Sequence, residues 1–158
     1  MSHRHAGCAR ILLIDDNDGD VRLIREAIRA EAPGVQVSCI SDSTEALPCL
    51  KRAVAAAEGP RLILLDLRMP KKDGFQVLEE IRRDPETAGL PVVILTSSEA
   101  DQDIARAYAL RANAVITKPI GYQRLRAAMR IFCEFWLGVA RLPHTTQVRQ
   151  EHHEHTAD

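Results

Sequence analysis

Five short apolar runs, each followed by a longer stretch with helical periodicity, organise the sequence between residues 10 and 140. The first, third and fourth are solid apolar blocks, as in strands buried on both faces, and the second alternates with period two. The fifth is the short run AVIT. The runs lie at residues 11–14, 35–40, 61–66, 91–95 and 114–117. Because parallel strands need long crossover connections, this alternation predicts a parallel sheet covered by helices on both faces.

Right-handed crossovers leave few ways to arrange five such strands. The order 2-1-3-4-5 is favoured at this length, which predicts an α/β, flavodoxin-like (βα)5 fold with a doubly wound sheet. We expect one domain over residues 9–142, an N-terminal tail over 1–8, and a polar, disordered C-terminal tail over 143–158. All six histidines lie in the tails.

Two of the predicted helices have unusual features. Asp42 and Glu45 fit a capping box for a helix over residues 43–57. Pro48 falls inside that helix, where we expect it to remove a backbone hydrogen bond and kink the axis. The last helix extends from about residue 122 to 140, a length near 30 Å that would overhang the sheet.

Composition narrows the possible functions. A formal net charge of −1 over 158 residues, with 27% charged, leaves no basic surface of the kind that binds nucleic acid. There is no run of 18 apolar residues and no signal-peptide core, so we expect a soluble, cytoplasmic protein with no membrane contact. The four cysteines form no CxxC pair, which favours reduced thiols.

Polar side chains end four of the predicted strands. Asp15 and Asp16 follow the first strand, Asp66 ends the third, Thr96 ends the fourth and Lys118 follows the fifth. In a doubly wound sheet the first and third strands flank the point where ligands bind, outside their carboxyl ends. We therefore expect these side chains to converge at one edge of the sheet.

The chemistry of this group indicates phosphoryl transfer. Two carboxylates about 5 Å apart repel by roughly 3 kcal/mol at an effective dielectric constant of about 20, and a divalent cation removes that penalty. An oxygen-only site suits Mg²⁺. Asp66 would attack phosphorus in line, while Thr96 and Lys118 would contact the phosphoryl oxygens.

Two other functions are compatible with acids on this kind of sheet. An aspartate-nucleophile phosphatase of small phosphate esters uses a second acid two residues after the nucleophile, but here that position is Arg68, which leaves protonation of the leaving group poorly supported. A flavin or nucleotide binder would be expected to have a Gly-rich phosphate loop after the first strand, and none is present.

Four segments resemble a known family. IDDN at residues 14–17, LLDLRMPKKDG at 64–74, ILTS at 94–97 and TKP at 117–119 are similar to the receiver domain of two-component response regulators. The resemblance extends from about residue 9 to 140.

That resemblance implies roles for particular residues. The acid at Asp66 would receive a phosphoryl group from a sensor histidine kinase and would later lose it by autodephosphorylation. Mg²⁺ would be held by Asp15, Asp16, Asp66 and the backbone carbonyl of Arg68. Thr96 and Lys118 would bind the phosphoryl oxygens.

Finer features resemble one subgroup, the single-domain regulators paired with phytochrome kinases. They are DNDGDVRLI at residues 16–24, PKKDG at 70–74 and FWL at 135–137, and they imply a red-light-sensing bacteriophytochrome as the kinase. Val115 is one departure from this family. Many receivers have an aromatic residue three positions before the active-site lysine, which is Lys118 here. The usual coupling between the threonine and that aromatic is therefore not expected.

Only 18 residues follow Ala140, so we expect no output domain and instead a protein contact or onward phosphotransfer. The last helix carries a core-facing stripe of Leu125, Met129, Phe132 and Trp136. A second apolar stripe contains Ala128, Ile131 and Phe135. Such an apolar surface is typical of an interface. We expect a homodimer through the fourth helix, fifth strand and fifth helix, with contacts from Ala128, Ile131, Phe135 and Trp136.

Overall fold

The computed structural model describes residues 10–143, in which five parallel strands form one sheet. Each neighbouring pair is parallel and the order is β2-β1-β3-β4-β5, which confirms the predicted doubly wound topology. The strands are β1 (Arg10–Ile14), β2 (Gln36–Ile40), β3 (Leu62–Leu65), β4 (Val92–Thr96) and β5 (Ala114–Thr117).

Helices cover both faces of the sheet. They are α1 (Asp18–Glu31), α2 (Ala46–Ala55), α3 (Gly74–Arg83), α4 (Asp101–Ala109) and α5 (Tyr122–Cys133). α1 and α5 pack on one face and contribute to one apolar cluster, whereas α2, α3 and α4 contribute to the cluster on the other face. Within residues 10–143, every helix is too short or too polar to cross a lipid bilayer.

Successive side chains of the inner strands enter opposite clusters. In β1, Ile11 and Leu13 belong to the cluster under α1 and α5, whereas Leu12 and Ile14 belong to the cluster under α2 and α3. This is the two-residue period of a strand with helices on both sides. It explains why the sequence shows a solid apolar block here instead of alternation.

The region around Pro48 differs from the prediction. A 3₁₀ turn, Ser43–Glu45, replaces the start of the expected helix, and the carboxylate of Asp42 accepts a hydrogen bond from the Thr44 N–H at 3.0 Å. α2 begins only at Ala46, so Pro48 lies in its first turn. Backbone N–H groups in a first turn have no acceptor within the helix. The expected loss of a hydrogen bond at Pro48 was therefore wrong. The change from 3₁₀-helix to α-helix lies between Glu45 and Ala46, before Pro48.

The last helix has the predicted extent but changes its geometry. α5 ends at Cys133 and a π-helical segment, Glu134–Val139, continues the chain to Ala140, whose N–H donates to the Phe135 carbonyl at 2.7 Å. A π-helix turns through a smaller angle per residue than an α-helix. The α-helical spacing from which the two apolar stripes were predicted therefore does not hold after Cys133, in the segment that contains Phe135 and Trp136.

The predicted tails cannot be compared with the structure, because residues 1–9 and 144–158 lie outside the described residues. The domain limits of 9–142 therefore stay a prediction. Cys39, Cys49 and Cys133 are free thiols, in agreement with the expectation for those three positions. Cys8 lies outside the described residues.

Gly74 allows the loop after β3 to fold tightly against the start of α3. A Cβ atom at this position would lie 2.1 Å from the backbone oxygen of Asp66 and 2.7 Å from the Cα of Leu67. Its N–H donates to the Leu67 carbonyl at 2.9 Å. Since the clashing atoms belong to the backbone, a side chain here would have to displace the segment that carries Asp66.

We therefore expect Gly74→Ala to lower the free energy of unfolding by about 3 kcal/mol, because overpacking against a rigid backbone costs this much. Urea denaturation followed by circular dichroism measures the change. Gly89→Ala is the matched control, since a Cβ there meets nothing within 4 Å. Equal effects of the two substitutions would contradict the proposed role of Gly74.

Candidate phosphoryl-transfer site

The acidic residues predicted to converge do so at the carboxyl edge of β1 and β3. Ile14 and Leu65 are paired in register, so Asp15 and Asp66, the next residue of each strand, leave the sheet side by side. One carboxylate oxygen from each of Asp15, Asp16 and Asp66 lies within 4.8 Å of the others. The parallel pairing of two adjacent strands thus brings together acids that are about fifty residues apart in sequence.

Two of these acids are shielded from water. The side chains of Asp15 and Asp66 are 1% and 7% exposed. Burial raises the pKa of Asp15, although hydrogen bonds from Lys118 and from the Asn17 N–H act in the opposite direction. The charged form of Asp15 is therefore only partly compensated by its neighbours.

Lys118 is the cation at the centre of the group. Its Nζ atom donates to Oδ2 of Asp15 at 2.7 Å, of Asp20 at 2.9 Å and of Asp66 at 3.3 Å. Burial alone would lower the pKa of Lys118, but the hydrogen bonds to Asp15 and Asp20 outweigh it and the pKa is raised. Lys118 is therefore charged at neutral pH.

Thr96 closes the site on the β4 side. It is fully buried, and its hydroxyl oxygen accepts a hydrogen bond from the Ser98 N–H at 3.2 Å. The hydroxyl hydrogen has no acceptor among residues 10–143, so Thr96 can still donate. The backbone N–H of Lys118 donates to the Thr96 carbonyl at 2.7 Å, which ties the ends of β4 and β5 together.

The loop after β3 orients the carboxylate of Asp66. The Leu67 N–H donates to Oδ1 of Asp66 at 2.8 Å, while Oδ2 faces Lys118. The Arg68 guanidinium pairs with Asp103 on α4, which also accepts a hydrogen bond from the Ser98 hydroxyl at 2.6 Å. Within the described chain no hydrogen bond engages the Arg68 carbonyl oxygen, the ligand expected from the resemblance.

Sequence reasoning missed Asp20 as part of the group. It appears in the sequence only as an acid suited to the N-terminus of α1, yet its carboxylate lies 2.9 Å from Lys118. Its place in the first turn of α1, directly after the end of β1, was the available signal. That position alone could not show that the turn faces the end of β5.

The position of Val115 also has a neighbour that the sequence did not indicate. Val115 is partly buried against the core, and its backbone N–H donates to the hydroxyl of Tyr108 at 3.2 Å. Tyr108 belongs to α4 and is half-exposed. An aromatic side chain therefore lies next to β5 here, although it comes from the preceding helix.

The donor set fits a hard divalent cation. All the candidate ligands of Asp15, Asp16 and Asp66 are carboxylate oxygens, and the Asp16 carboxylate has no hydrogen bond or ion pair with any residue from 10 to 143. Asp15 and Asp66 share a single lysine. A second positive charge near all three would be stabilised by the site and would satisfy the partner-free Asp16.

We expect Lys118→Met to lower the free energy of unfolding by about 3 kcal/mol at pH 7 in EDTA, because two buried carboxylates lose their counter-charge. Added Mg²⁺ or Mn²⁺ should restore part of it. Since the pKa of Lys118 is raised in the folded state, its contribution is complete below the usual lysine value of about 10.4 and declines at higher pH.

Urea denaturation over a pH series measures both effects. Lys51→Met is the control, because Lys51 pairs with Asp84 at the surface and its loss should matter much less. If the two substitutions destabilise the protein equally and metal changes neither, Lys118 is not the counter-charge of the buried acids.

Comparison with known proteins agrees with this geometry. The family model that describes the response regulator receiver domain matches residues 11–130 of this chain. Response regulator Rcp1 of Synechocystis sp. is 35% identical over 135 residues, which cover 84% of this chain and 92% of Rcp1. The "Probable methanogenesis regulatory protein FilR2" of Methanothrix harundinacea is 36% identical, over 84% of this chain and 86% of that protein.

Two solved structures are similar over most of the chain. The phosphorylated cyanobacterial phytochrome response regulator RcpA is 40% identical with a TM-score of 0.80, over 86% of this chain and 99% of RcpA. The Mn²⁺-bound form of Rcp1 is 34% identical with a TM-score of 0.77, over 85% of this chain and 99% of Rcp1. By its sequence, its topology and its cluster of acids, this chain belongs to the response regulator receiver domain family.

Proposed function

We propose that this two-component response regulator accepts a phosphoryl group on Asp66 from a sensor histidine kinase. The observation that carries the proposal is the orientation of Asp66. One of its carboxylate oxygens is held by the Leu67 N–H and the other lies 3.3 Å from the Lys118 ammonium. A nucleophilic oxygen beside a cation suits attack on a phosphoryl group whose oxygens carry negative charge.

In the proposed reaction Asp66 attacks the phosphorus of a phosphohistidine on the kinase. A phosphorus–oxygen bond forms, the phosphorus–nitrogen bond breaks, and the leaving imidazole keeps the electron pair and takes up a proton. Lys118 and the Thr96 hydroxyl contact the phosphoryl oxygens. Mg²⁺, held by Asp15, Asp16, Asp66 and the Arg68 carbonyl, would supply further positive charge opposite those oxygens.

Loss of the phosphoryl group by attack of water completes the proposed cycle. The protein then acts on its own aspartyl phosphate, and receiver domains are not enzymes that turn over a separate substrate. The phosphatase alternative is not favoured. The general acid that it requires would stand at Arg68, whose side chain instead pairs with Asp103.

For the kinase we propose a bacteriophytochrome. RcpA is a phytochrome response regulator and is 40% identical over most of this chain. The segments at residues 16–24, 70–74 and 135–137 support the same subgroup. We propose that this exchange takes place in the cytoplasm.

We expect a bacteriophytochrome kinase to transfer its phosphoryl group to this protein in vitro, faster in one light state of the kinase than in the other.

We further propose a homodimer through α4, β5 and α5. Ile131 is 65% exposed and Phe135 is 49% exposed, so both remain available for a contact. Trp136 and Ala128 are partly buried and pack against the core, and Trp136 also meets Phe135 edge to face at 5.1 Å. Ile131 and Phe135 would therefore make the main contacts of the interface, and Trp136 would pack between Phe135 and the core.

With acetyl phosphate and Mg²⁺, we expect Phos-tag electrophoresis to show a retarded band for the wild type and none for Asp66→Asn, because the amide is not a nucleophile. Asp101→Asn, an exposed acid at the start of α4, is the control and should shift as the wild type does. A retarded band in Asp66→Asn would reject Asp66 as the acceptor.

For the dimer, we expect Ile131→Glu and Phe135→Glu each to weaken self-association at least about tenfold, since burying a charge in an apolar contact is costly. Size-exclusion chromatography with light scattering over a concentration series measures this. Leu23→Glu, on α1, is the matched control. A wild type that stays monomeric at high concentration would reject the interface.

A further inference from the structure

Lys118 has no free N–H group, because each of its three hydrogens has a carboxylate acceptor. Two of the acceptors, Asp15 and Asp66, belong to the buried acidic cluster. The third, Asp20, lies outside that cluster on the first turn of α1. Its side chain is 38% exposed, whereas the other two are almost fully buried. Asp20 is therefore the partner of Lys118 that water can most readily replace.

The capping of α1 explains why Asp20 is available for this contact. Asn17 caps the helix by accepting a hydrogen bond from the Asp20 N–H at 2.9 Å. An acid at this third position often reaches back to the N–H of the cap residue. Here the Asn17 N–H already donates to Oδ1 of Asp15 at 3.0 Å. The Asp20 carboxylate is thus not needed for capping and extends to Lys118.

A phosphoryl group on Asp66 changes the balance among these partners. Phosphorylation converts the Asp66 carboxylate into the neutral carbonyl side of an acyl phosphate and adds negatively charged phosphoryl oxygens, which require a donor from Lys118. Asp15 is among the residues that fit a metal ion, and such an ion would neutralise the Asp15 carboxylate in place of Lys118. Asp20 is neither the phosphoryl acceptor nor one of the acids that fit a metal, so it remains as the residue that competes with the phosphoryl oxygens for the Lys118 ammonium.

We propose that Asp20 is a positioning residue that competes with the phosphoryl group on Asp66 for Lys118, an inference that rests on the proposed function. Asp20 holds the ammonium on the α1 side of the site. Engagement of the phosphoryl oxygen requires that this ion pair opens. Asp20 therefore weakens the contact between Lys118 and the phosphorylated acceptor, and favours the unphosphorylated arrangement.

The surroundings leave room for this movement. A cavity of about 80 Å³ lies beside the pair, lined by both Asp20 and Lys118 and by Pro119, Tyr122 and Leu125. Close packing around a side chain hinders it from changing partners. Here the cavity allows the Asp20 carboxylate to turn away from Lys118 without displacing the core.

The test uses beryllofluoride, which mimics the phosphoryl group on a carboxylate, at saturating Mg²⁺. We expect Asp20→Asn to tighten the apparent affinity, measured by isothermal titration calorimetry, by about threefold to fivefold, the range for loss of one partly exposed ion pair. Asp20→Glu retains a carboxylate and should behave as the wild type. Asp18→Asn makes the same change of charge on the same turn, at an exposed residue, and should have little effect.

A second comparison separates positioning from a general effect of charge. In a Lys118→Met background there is no ammonium to compete for, so Asp20→Asn should no longer alter the affinity. If it tightens binding equally with and without Lys118, or if it has no effect or weakens binding in the wild-type background, the inference is overturned. Wild-type protein that does not bind beryllofluoride would instead reject the proposed function itself. NMR spectra of each variant confirm that it is folded.

Discussion

One ammonium group, that of Lys118, donates a hydrogen bond to each of three carboxylates at the edge of this sheet, and the site depends on that arrangement. Lys118 lies between Asp15, Asp20 and Asp66, and it is itself 10% exposed. Burying two carboxylates side by side without a counter-charge is costly. The same lysine is the donor expected to meet a phosphoryl oxygen. Stability of the unphosphorylated site and recognition of the phosphoryl group therefore compete for one side chain.

The sheet supports this arrangement by the way its strands end. β1, β3, β4 and β5 are neighbours in the order that places their last residues on one edge. Backbone hydrogen bonds then hold the following residues in place, from the Asp66 N–H to the Ile14 carbonyl at 3.0 Å and from the Lys118 N–H to the Thr96 carbonyl at 2.7 Å. The reactive side chains thus extend from backbone that is hydrogen-bonded to a neighbouring strand.

Sequence and structure agree best where a residue's role follows from the end of a strand. Asp15, Asp66, Thr96 and Lys118 each end or follow an apolar run, so the topology alone predicted that they meet. Asp20 was missed because its role depends on where the first turn of α1 faces. The hydrogen bond expected to be lost at Pro48 was wrong because the helix begins later than its capping pattern indicated. The change to π-helix after Cys133 likewise leaves no periodic signal in the sequence.

The sequence by itself determined the fold class, the strand order and the edge at which the acids gather, because hydrophobic periodicity and chain connectivity are local properties that leave few topologies. Only the tertiary structure decided which carboxylates share Lys118, how Arg68 pairs with Asp103, and which apolar residues of the last helix face water. Those outcomes depend on distances between elements far apart in the chain. Packing of α1, α4 and α5 on the sheet sets these distances, and no local pattern encodes them.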